Sequence, residues 1–431
     1  MTRIVAFVPA KGSSDRIPSK NLAILDGDHL FRRKLRQLLD CPLIDAVFLD
    51  TEDETVAALA GDLPVQRLTR PQALASNATD GHELFAWECA QVHADIYVQA
   101  ICTAPFVAAD TVTRAMQALL DAPHHDSLVA VSAAKQYTWG GTDPLYGRGR
   151  IPNSVDLPAT LIESMSLYAV RRSDAPIAQR FGNSPLLFEL TPTETIDVNW
   201  PEDLVLAETI AGGQRARQNL ELQALAPYLS APLISDITRD LGLDCALPQA
   251  IKPTSGARVW GRAKTLTLDA VQPGEDWRKI YDALKSYAFV RPGDVIVVEN
   301  RLRDRAYFGN LNAQLAMRAG AVGAVIDGVT RDSGAVNALG FPVFARGTYA
   351  VDIRLEGVLR ALNERVQIGS VQIADGDLIF GDQDGVMAIP AARWTDVKTA
   401  LVDGFEREWR IGRLAALGAD PIEIWRQLGD F

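Results

Sequence analysis

Short apolar segments alternate with amphipathic segments through the first 130 residues, and this alternation limits the possible folds more than any other feature. Apolar runs typical of buried strands begin at Arg3, Ala46, Ile96 and Ser127. Longer segments with helical spacing, such as 109–120, lie between them. Such alternation predicts an α/β fold with a doubly wound, mostly parallel sheet covered on both faces. Ligands of such sheets bind beyond the carboxyl ends of the strands.

The loop after the first strand is rich in small and basic residues. Its Gly and Ser residues let backbone N–H groups approach a phosphate, and its cations neutralise one. A loop of this composition also occurs in plain turns, so by itself it assigns no function. The candidate nucleotide-binding residues are Ala10, Lys11, Gly12, Ser13, Arg16, Lys20, Asn21 and, further along, Arg70.

As a set, four motifs resemble the CMP-sugar-acid synthetases, which are the sialic acid and Kdo cytidylyltransferases. Residues 10–21 are similar to the family's Pro-Ala-Arg-Gly-Gly-Ser-Lys-Arg-Ile-Pro-x-Lys-Asn, and 99–105 to its Leu-Gln-Pro-Thr-Ser-Pro. Residues 196–204 are similar to Ile-Asp-Ile-Asp-Thr-Pro-Glu-Asp-Leu, and the remaining motif begins at Arg70. The resemblance covers residues 1 to 210. It implies a nucleotidyltransferase-like domain that uses CTP, with Gln99 contacting the substrate and Asp197 binding a metal.

Several positions depart from that pattern. Asp15 stands where the family has Lys, Asn77 and Asn199 stand where it has Asp, and Ser164-Met165 replaces Asn-Gly. A unit charge ~5 Å from a phosphate is worth roughly 3 kcal/mol at an effective dielectric of ~20, so reversing it weakens triphosphate binding. Losing a carboxylate weakens Mg²⁺ binding, because hard cations prefer charged oxygens. Two interpretations follow: active cytidylyl transfer, or a degenerate nucleotide- or sugar-acid-binding domain.

In the second half, a cation and an anion follow a short apolar run. Residues 324–326 predict a buried strand, and Asp327-Gly328 is a turn signal. Arg331 and Asp332 come directly afterwards. They form either a structural ion pair at a strand end or a site on a rigid scaffold.

A predicted helix precedes this strand. Gly309-Asn310-Leu311 leads into the helical segment 312–318, and Gly320 is its expected C-cap. A helix that begins at Gly offers free backbone N–H groups to a small anion such as a carboxylate.

This region resembles the RraA-like family, which includes the 4-hydroxy-4-methyl-2-oxoglutarate aldolases. The shared pattern is Gly-x-Leu at 309–311, Gly-x-Val-x-Asp-Gly-x-x-Arg-Asp at 323–332, and Gly-x-Pro-Val-Phe-Ala at 340–345. The resemblance spans about residues 228 to 395. It implies an RraA-like α/β swivelling domain and a metal-dependent pyruvate aldolase, which cleaves or forms the C3–C4 bond of a 4-hydroxy-2-oxo acid.

The resemblance also implies roles for single residues. Arg331 and Asp332 would be catalytic: Asp332 holds Mg²⁺ or Mn²⁺, and Arg331 pairs with the substrate carboxylate or oxo oxygen. The backbone around Gly309, Asn310 and Leu311 would bind the substrate. Asn310 departs from the Asp that the aldolases often carry. Some RraA-like proteins instead bind protein partners.

Together the halves predict domains 1–225 and 226–431, separated where the composition changes. Sialic, Kdo and related acids are themselves 4-hydroxy-2-oxo acids, so aldol chemistry and CTP activation would share one substrate class. The competing hypothesis is a non-catalytic platform that binds a nucleotide or sugar acid. The two resemblances favour a homo-oligomer, a trimer or a hexamer.

Composition limits the other partners. The formal charge of −11 argues against a nucleic-acid surface. The four Cys show no paired spacing, which argues against a thiolate zinc site or a disulfide framework. No basic-then-apolar leader and no apolar run of membrane-spanning length is apparent. The expectation is a cytoplasmic protein whose ligands are a 2-oxo acid or sugar acid, CTP and a divalent cation, without nucleic acid or membrane.

Overall fold

The computed structural model describes residues 2–76 and 78–429, so Asn77 lies outside the described residues. The chain divides into two compact units, Met1–Ala211 and Gly212–Phe431, and the division falls inside one continuous helix. The composition predicts a domain boundary near residue 225, at the end of that helix, and this boundary stays a prediction. None of the described helices is long and apolar enough to cross a bilayer.

Strands and helices alternate through the first unit as the apolar pattern predicts. The strands are β1 (Ile4–Pro9), β2 (Ile24–Leu25), β3 (Asp28–His29), β4 (Ala46–Thr51), β5 (Gln66–Thr69), β6 (Ile96–Ala100), β7 (Ser127–Ala134), β8 (Trp139–Gly140), β9 (Asp143–Pro144), β10 (Thr160–Arg171) and β11 (Pro185–Glu189). The helices are α1 (Leu30–Leu39), α2 (Glu54–Leu59), α3 (Gly81–Gln91), α4 (Ala109–Asp121) and α5 (Pro201–Leu225).

Within the described part of this unit, the main sheet has the order β11-β7-β10-β6-β1-β4-β5. Strands β6, β1, β4 and β5 are parallel, and β10 is antiparallel to both of its neighbours. The chain runs from β1 to β4 and β5 on one side, then returns to β6 on the other side of β1. This reversal opens a crevice at the carboxyl ends of β1 and β6. The predicted doubly wound, mostly parallel sheet is confirmed.

The second unit is also α/β. Its helices are α6 (Ala231–Asp240), α7 (Asn310–Ala319), α8 (Ser333–Ala338), α9 (Trp394–Ala416) and α10 (Pro421–Leu428), with a 3₁₀ helix at Trp277–Ala288. Its strands are β12 (Lys252–Ser255), β13 (Val259–Ala270), β14 (Asp294–Asn300), β15 (Gly323–Thr330), β16 (Val343–Thr348), β17 (Gly357–Leu362), β18 (Val366–Ile368), β19 (Val371–Ile373), β20 (Leu378–Gly381) and β21 (Val386–Ile389).

Four parallel strands, β13 to β16, form the centre of the second sheet, and both faces of β15 are buried. The predicted turn at Asp327-Gly328 is wrong, because β15 continues to Thr330 through an irregularity between Ile326 and Val329. Asp327 is 1% exposed and forms ion pairs with the guanidinium groups of Arg303 and Arg346. These long-range partners neutralise the carboxylate, so the strand can pass through a sequence that favours a turn.

Candidate active sites

The pair Arg331-Asp332 lies at the end of β15, on the edge of an open cleft of about 650 Å³ in the second unit. The backbone of Phe308 accepts hydrogen bonds from the Arg331 N–H (3.0 Å) and the Thr330 hydroxyl (2.7 Å). This pairing places the start of α7 beside the end of β15. The cleft therefore combines the first turn of α7 with the Arg-Asp pair, as the motif spacing predicts.

Asp332 has an unusual backbone conformation, with φ 56° and ψ 27°. This left-handed region is rarely populated by residues other than glycine, although Asp tolerates it better than most. The conformation aims the carboxylate at the start of α7, where Asp332 Oδ2 accepts the Asn310 N–H at 3.2 Å. A Cβ atom at position 309 would lie 2.6 Å from that oxygen, so this close approach requires Gly309. The side chain of Asp332 nevertheless remains 46% exposed.

Arg331 is held by a carboxylate that the sequence analysis missed. Its Nη2 lies 2.7 Å from Oδ2 of Asp352, whereas its Nε is 3.8 Å from Asp332. Asp352 also accepts the backbone N–H of Arg354, and both residues line the cleft. No local motif marks Asp352, because it follows β16 and its partner precedes α8.

Part of the lining of this cleft is apolar. Tyr281, Leu284, Leu311 and Leu315 line it and are all at least 39% exposed. The backbone N–H groups of the first turn of α7, which include that of Leu311, have no acceptor within the helix. A bound molecule would therefore meet N–H donors, charged groups and apolar surface in the same cleft.

The cleft of the second unit offers few protein ligands to a metal. No group of three His, Cys, Asp or Glu side chains that could hold an ion occurs among residues 2–76 and 78–429. Asp332 is a partly exposed carboxylate at an open cleft. This donor set fits a hard cation such as Mg²⁺ or Mn²⁺ that keeps most of its coordinated waters.

The first unit has its own cleft, of about 530 Å³, at the predicted crevice beyond β1 and β6. Five of the predicted nucleotide-binding residues in the loop line it: Lys11, Ser13, Arg16, Lys20 and Asn21. Asp15, the charge reversal, lines the same cleft. Burial, reinforced by the Arg16 guanidinium, lowers the pKa of Lys20.

Asp197, the predicted metal ligand, also lines this cleft but is already hydrogen bonded. Its two carboxylate oxygens accept from the Thr103 hydroxyl and the Asn199 amide. Asn199 in turn accepts a hydrogen bond from Lys20 Nζ at 3.2 Å. A neutral amide, that of Asn199, thus links Lys20 and Asp197 at the position where the family has a second carboxylate. The fit to a metal ion is incomplete at this site.

Arg70 lines the first cleft above a buried charge network. Its guanidinium binds Asp50, with Nη2 2.6 Å from Oδ2, and Asp50 is fully buried. Burial and the neighbouring Asp50 carboxylate hold the pKa of Glu88 well above its usual range. Arg70 is therefore fixed by its own anion before any nucleotide enters.

Three predicted residues do not line the first cleft. Gln99 is fully buried and donates to Glu88, so it does not reach a substrate in this arrangement. Ala10 is fully buried, and the N–H of Gly12 donates to Glu52 at 2.9 Å. Motif position could not reveal these partners, because Glu88 and Glu52 come from other elements of the fold.

Two family models match the chain. Residues 231–388 match the RraA-like family, described as Aldolase/RraA, and residues 5–140 match the cytidylyltransferase family. A protein of Halalkalibacterium halodurans, provisionally named 4-hydroxy-4-methyl-2-oxoglutarate aldolase, is 36% identical over 153 residues, which are 35% of this chain and 69% of that protein.

A 3-deoxy-manno-octulosonate cytidylyltransferase of Pelobacter propionicus is 31% identical over 121 residues, or 28% of this chain. The match spans only 46% of that relative's length. The crystal structure of Streptomyces coelicolor RraAS2 is 24% identical with a TM-score of 0.37, covering 42% of this chain and 89% of that one. The chain thus belongs to the RraA-like family through its second unit, and it carries a cytidylyltransferase-family domain in its first.

Proposed function

We propose that the second unit is a divalent-metal-dependent lyase for 4-hydroxy-2-oxo acids. The observation behind this proposal is the Arg331-Asp332 pair at the edge of an open cleft, beside the first turn of α7. Arg331 binds the substrate carboxylate or oxo oxygen through its planar fork, and Asp352 holds that fork in place. When bound at Asp332, the cation polarises the 2-oxo group.

The reaction cleaves the C3–C4 bond. The C4 hydroxyl loses its proton and becomes a carbonyl, and the electron pair of the broken bond passes to the pyruvate enolate, which is then protonated at C3. The N–H groups at the start of α7 orient the carboxylate throughout. The same arrangement run in reverse forms the bond.

For the first unit, we propose cytidylyl transfer from CTP to a 2-keto-3-deoxy sugar acid. A hydroxyl oxygen of the acid attacks the α-phosphorus, the bond to the β-phosphate breaks, and pyrophosphate leaves while the hydroxyl proton is released. Lys11, Arg16 and Lys20 would neutralise the triphosphate. Both units would then act on one class of sugar acid, in a homo-oligomer.

An alternative for the first unit is binding without turnover. It is favoured by the hydrogen bonds that link Lys20, Asn199 and Asp197 to one another, and by Asp15 in the phosphate loop. On this alternative, the domain is a nucleotide or sugar-acid platform.

The test is to incubate the protein with Mg²⁺, CTP and a panel of 2-keto-3-deoxy sugar acids, and to measure pyruvate and pyrophosphate separately. We expect pyruvate to disappear in an Asp332→Ala variant and pyrophosphate to disappear in a Lys20→Met variant. Absence of both products with every acid would contradict the proposal. Tight CTP binding in calorimetry without pyrophosphate release would favour the platform.

A further inference from the structure

Arg180 is a buried cation that lines the first cleft and that no motif marks. It lies in the segment between β10 and β11 and is 9% exposed. Among the described residues, no carboxylate forms an ion pair with it, and its Nε is buried without a hydrogen-bond partner. Arg70, the other buried arginine of this cleft, has Asp50 as its anion.

The surroundings of Arg180 hold the guanidinium in place. Its Cζ lies 4.9 Å from the centre of the Tyr168 ring, and its backbone N–H donates to His82 Nδ1 at 3.1 Å. A Cβ atom at position 81 would lie 2.3 Å from that Cζ, so Gly81 makes the room that the group occupies. Asp80 acts on Arg180 electrostatically but forms no ion pair with it. The space beside Gly81 thus holds a cation with no directly bound carboxylate, which indicates a built site.

The energetics favour an anionic ligand here. Burying a charge is costly, and a cation–π contact offsets only part of that cost. The difference is recovered if an anion binds Arg180. A guanidinium fork suits a carboxylate, which it binds with two parallel hydrogen bonds.

The position of Arg180 in the sheet separates it from the phosphate loop. The loop cations follow β1, whereas Arg180 packs on Tyr168 of β10, and β6 lies between these two strands. Met165, at the irregularity of β10, and Leu84 of α3 line the cleft with it. The cleft thus has the loop cations, suited to a triphosphate, and one further cation beside β10, suited to a second anion.

We propose that Arg180 binds the carboxylate of the acid that accepts the cytidylyl group. This inference rests on the function proposed for the first unit and adds a specificity-determining residue to it. The acceptor class is then an acid, and an ester or a neutral sugar would lose this contact.

Calorimetry in the presence of saturating CTP tests the proposal, with 3-deoxy-manno-octulosonate and its methyl ester as probes. We expect the wild-type protein to bind the acid at least 10-fold more tightly than the ester. Arg180→Gln should weaken acid binding 10- to 100-fold and leave the affinities for ester and CTP within twofold. Arg148→Gln, which removes an exposed arginine of the same unit, should change nothing.

Gly81→Ala provides an independent variant if Arg180→Gln does not fold. The added methyl group displaces the guanidinium without removing its charge, so acid binding should fall while CTP binding persists. Equal wild-type affinity for acid and ester, no binding of either, or an equal loss of CTP affinity in Arg180→Gln would overturn the inference. Normal acid binding without pyrophosphate release would instead contradict only the proposed transfer.

Discussion

The two clefts differ in how far their functional side chains are already engaged with one another. In the first, Asp197 accepts from Thr103 and Asn199, and Arg70 is tied to Asp50. In the second, Asp332 accepts one backbone N–H and keeps 46% of its side chain exposed. A ligand in the first cleft must displace existing hydrogen bonds, whereas a ligand of Asp332 replaces mainly water. A motif can therefore be retained in the sequence although its side chains are hydrogen bonded to one another.

The largest loss of activity is expected from a substitution of Asp332, whose carboxylate is the more exposed of the two proposed metal ligands. Asp332→Ala should lower kcat/KM for pyruvate release by 10³-fold or more, because the cation loses its protein carboxylate. Calorimetry should give unchanged CTP binding. Asp304→Ala, which removes an exposed carboxylate of the same unit, is the matched control. Activity that survives in Asp332→Ala would contradict metal binding by Asp332. The proposed functional difference between the two clefts would then have no support.

Arg331→Lys should lower the same rate by about 100-fold, because the planar fork is lost while the charge remains. Asp352→Asn should have a smaller effect, mainly on KM, because Asp352 acts by holding Arg331. Steady-state kinetics on both variants separates these roles. An equal loss of kcat in the two variants would place Asp352 in contact with the substrate.

Lys34 extends the comparison, because the first unit also buries a titratable amine. It is fully buried, with Nζ 2.9 Å from the carbonyl oxygen of Val107, and burial lowers its pKa from 10.5 to about 7. Between pH 7 and 10.5 the unfolded chain therefore binds a proton that the folded chain does not, and stability rises with pH. From pH 7 to pH 9 this gain should be about 2 kcal/mol.

Chemical unfolding of wild type and Lys34→Met at the two pH values measures the difference. The variant should lack the rise, since Met does not titrate. Parallel pH dependence in both proteins would mean that Lys34 stays protonated when folded.

Asn199→Asp should make the metal-binding groups of the first cleft more like those of the second. With Mg²⁺ present, a second carboxylate beside Asp197 should increase CTP affinity by about 10-fold. Without metal, the added negative charge should weaken CTP binding instead. Calorimetry with Mg²⁺ and with EDTA measures both signs. A loss of affinity in both conditions would show that the amide bridge holds the nucleotide site together.

The local features of the chain were predictable. The strand–helix alternation, the start of α7 after Gly309 and its left-handed C-cap at Gly320 all follow from apolar period and end residues. The turn predicted at Asp327-Gly328 failed because Arg303 and Arg346 come from distant segments. Local propensity does not include the ion pairs that these two residues form with Asp327.

The sequence alone determined the strand–helix alternation of the first 130 residues, the two family resemblances and the adjacency of Arg331 and Asp332, because each depends on residues that are neighbours in the chain. Tertiary structure decided that Asp352 holds Arg331, that Gln99 turns inward to Glu88, and that Arg180 lines a cleft without an ion-paired carboxylate. These outcomes depend on which distant groups packing brings together, since burial makes an unmatched charge costly and a matched one inert.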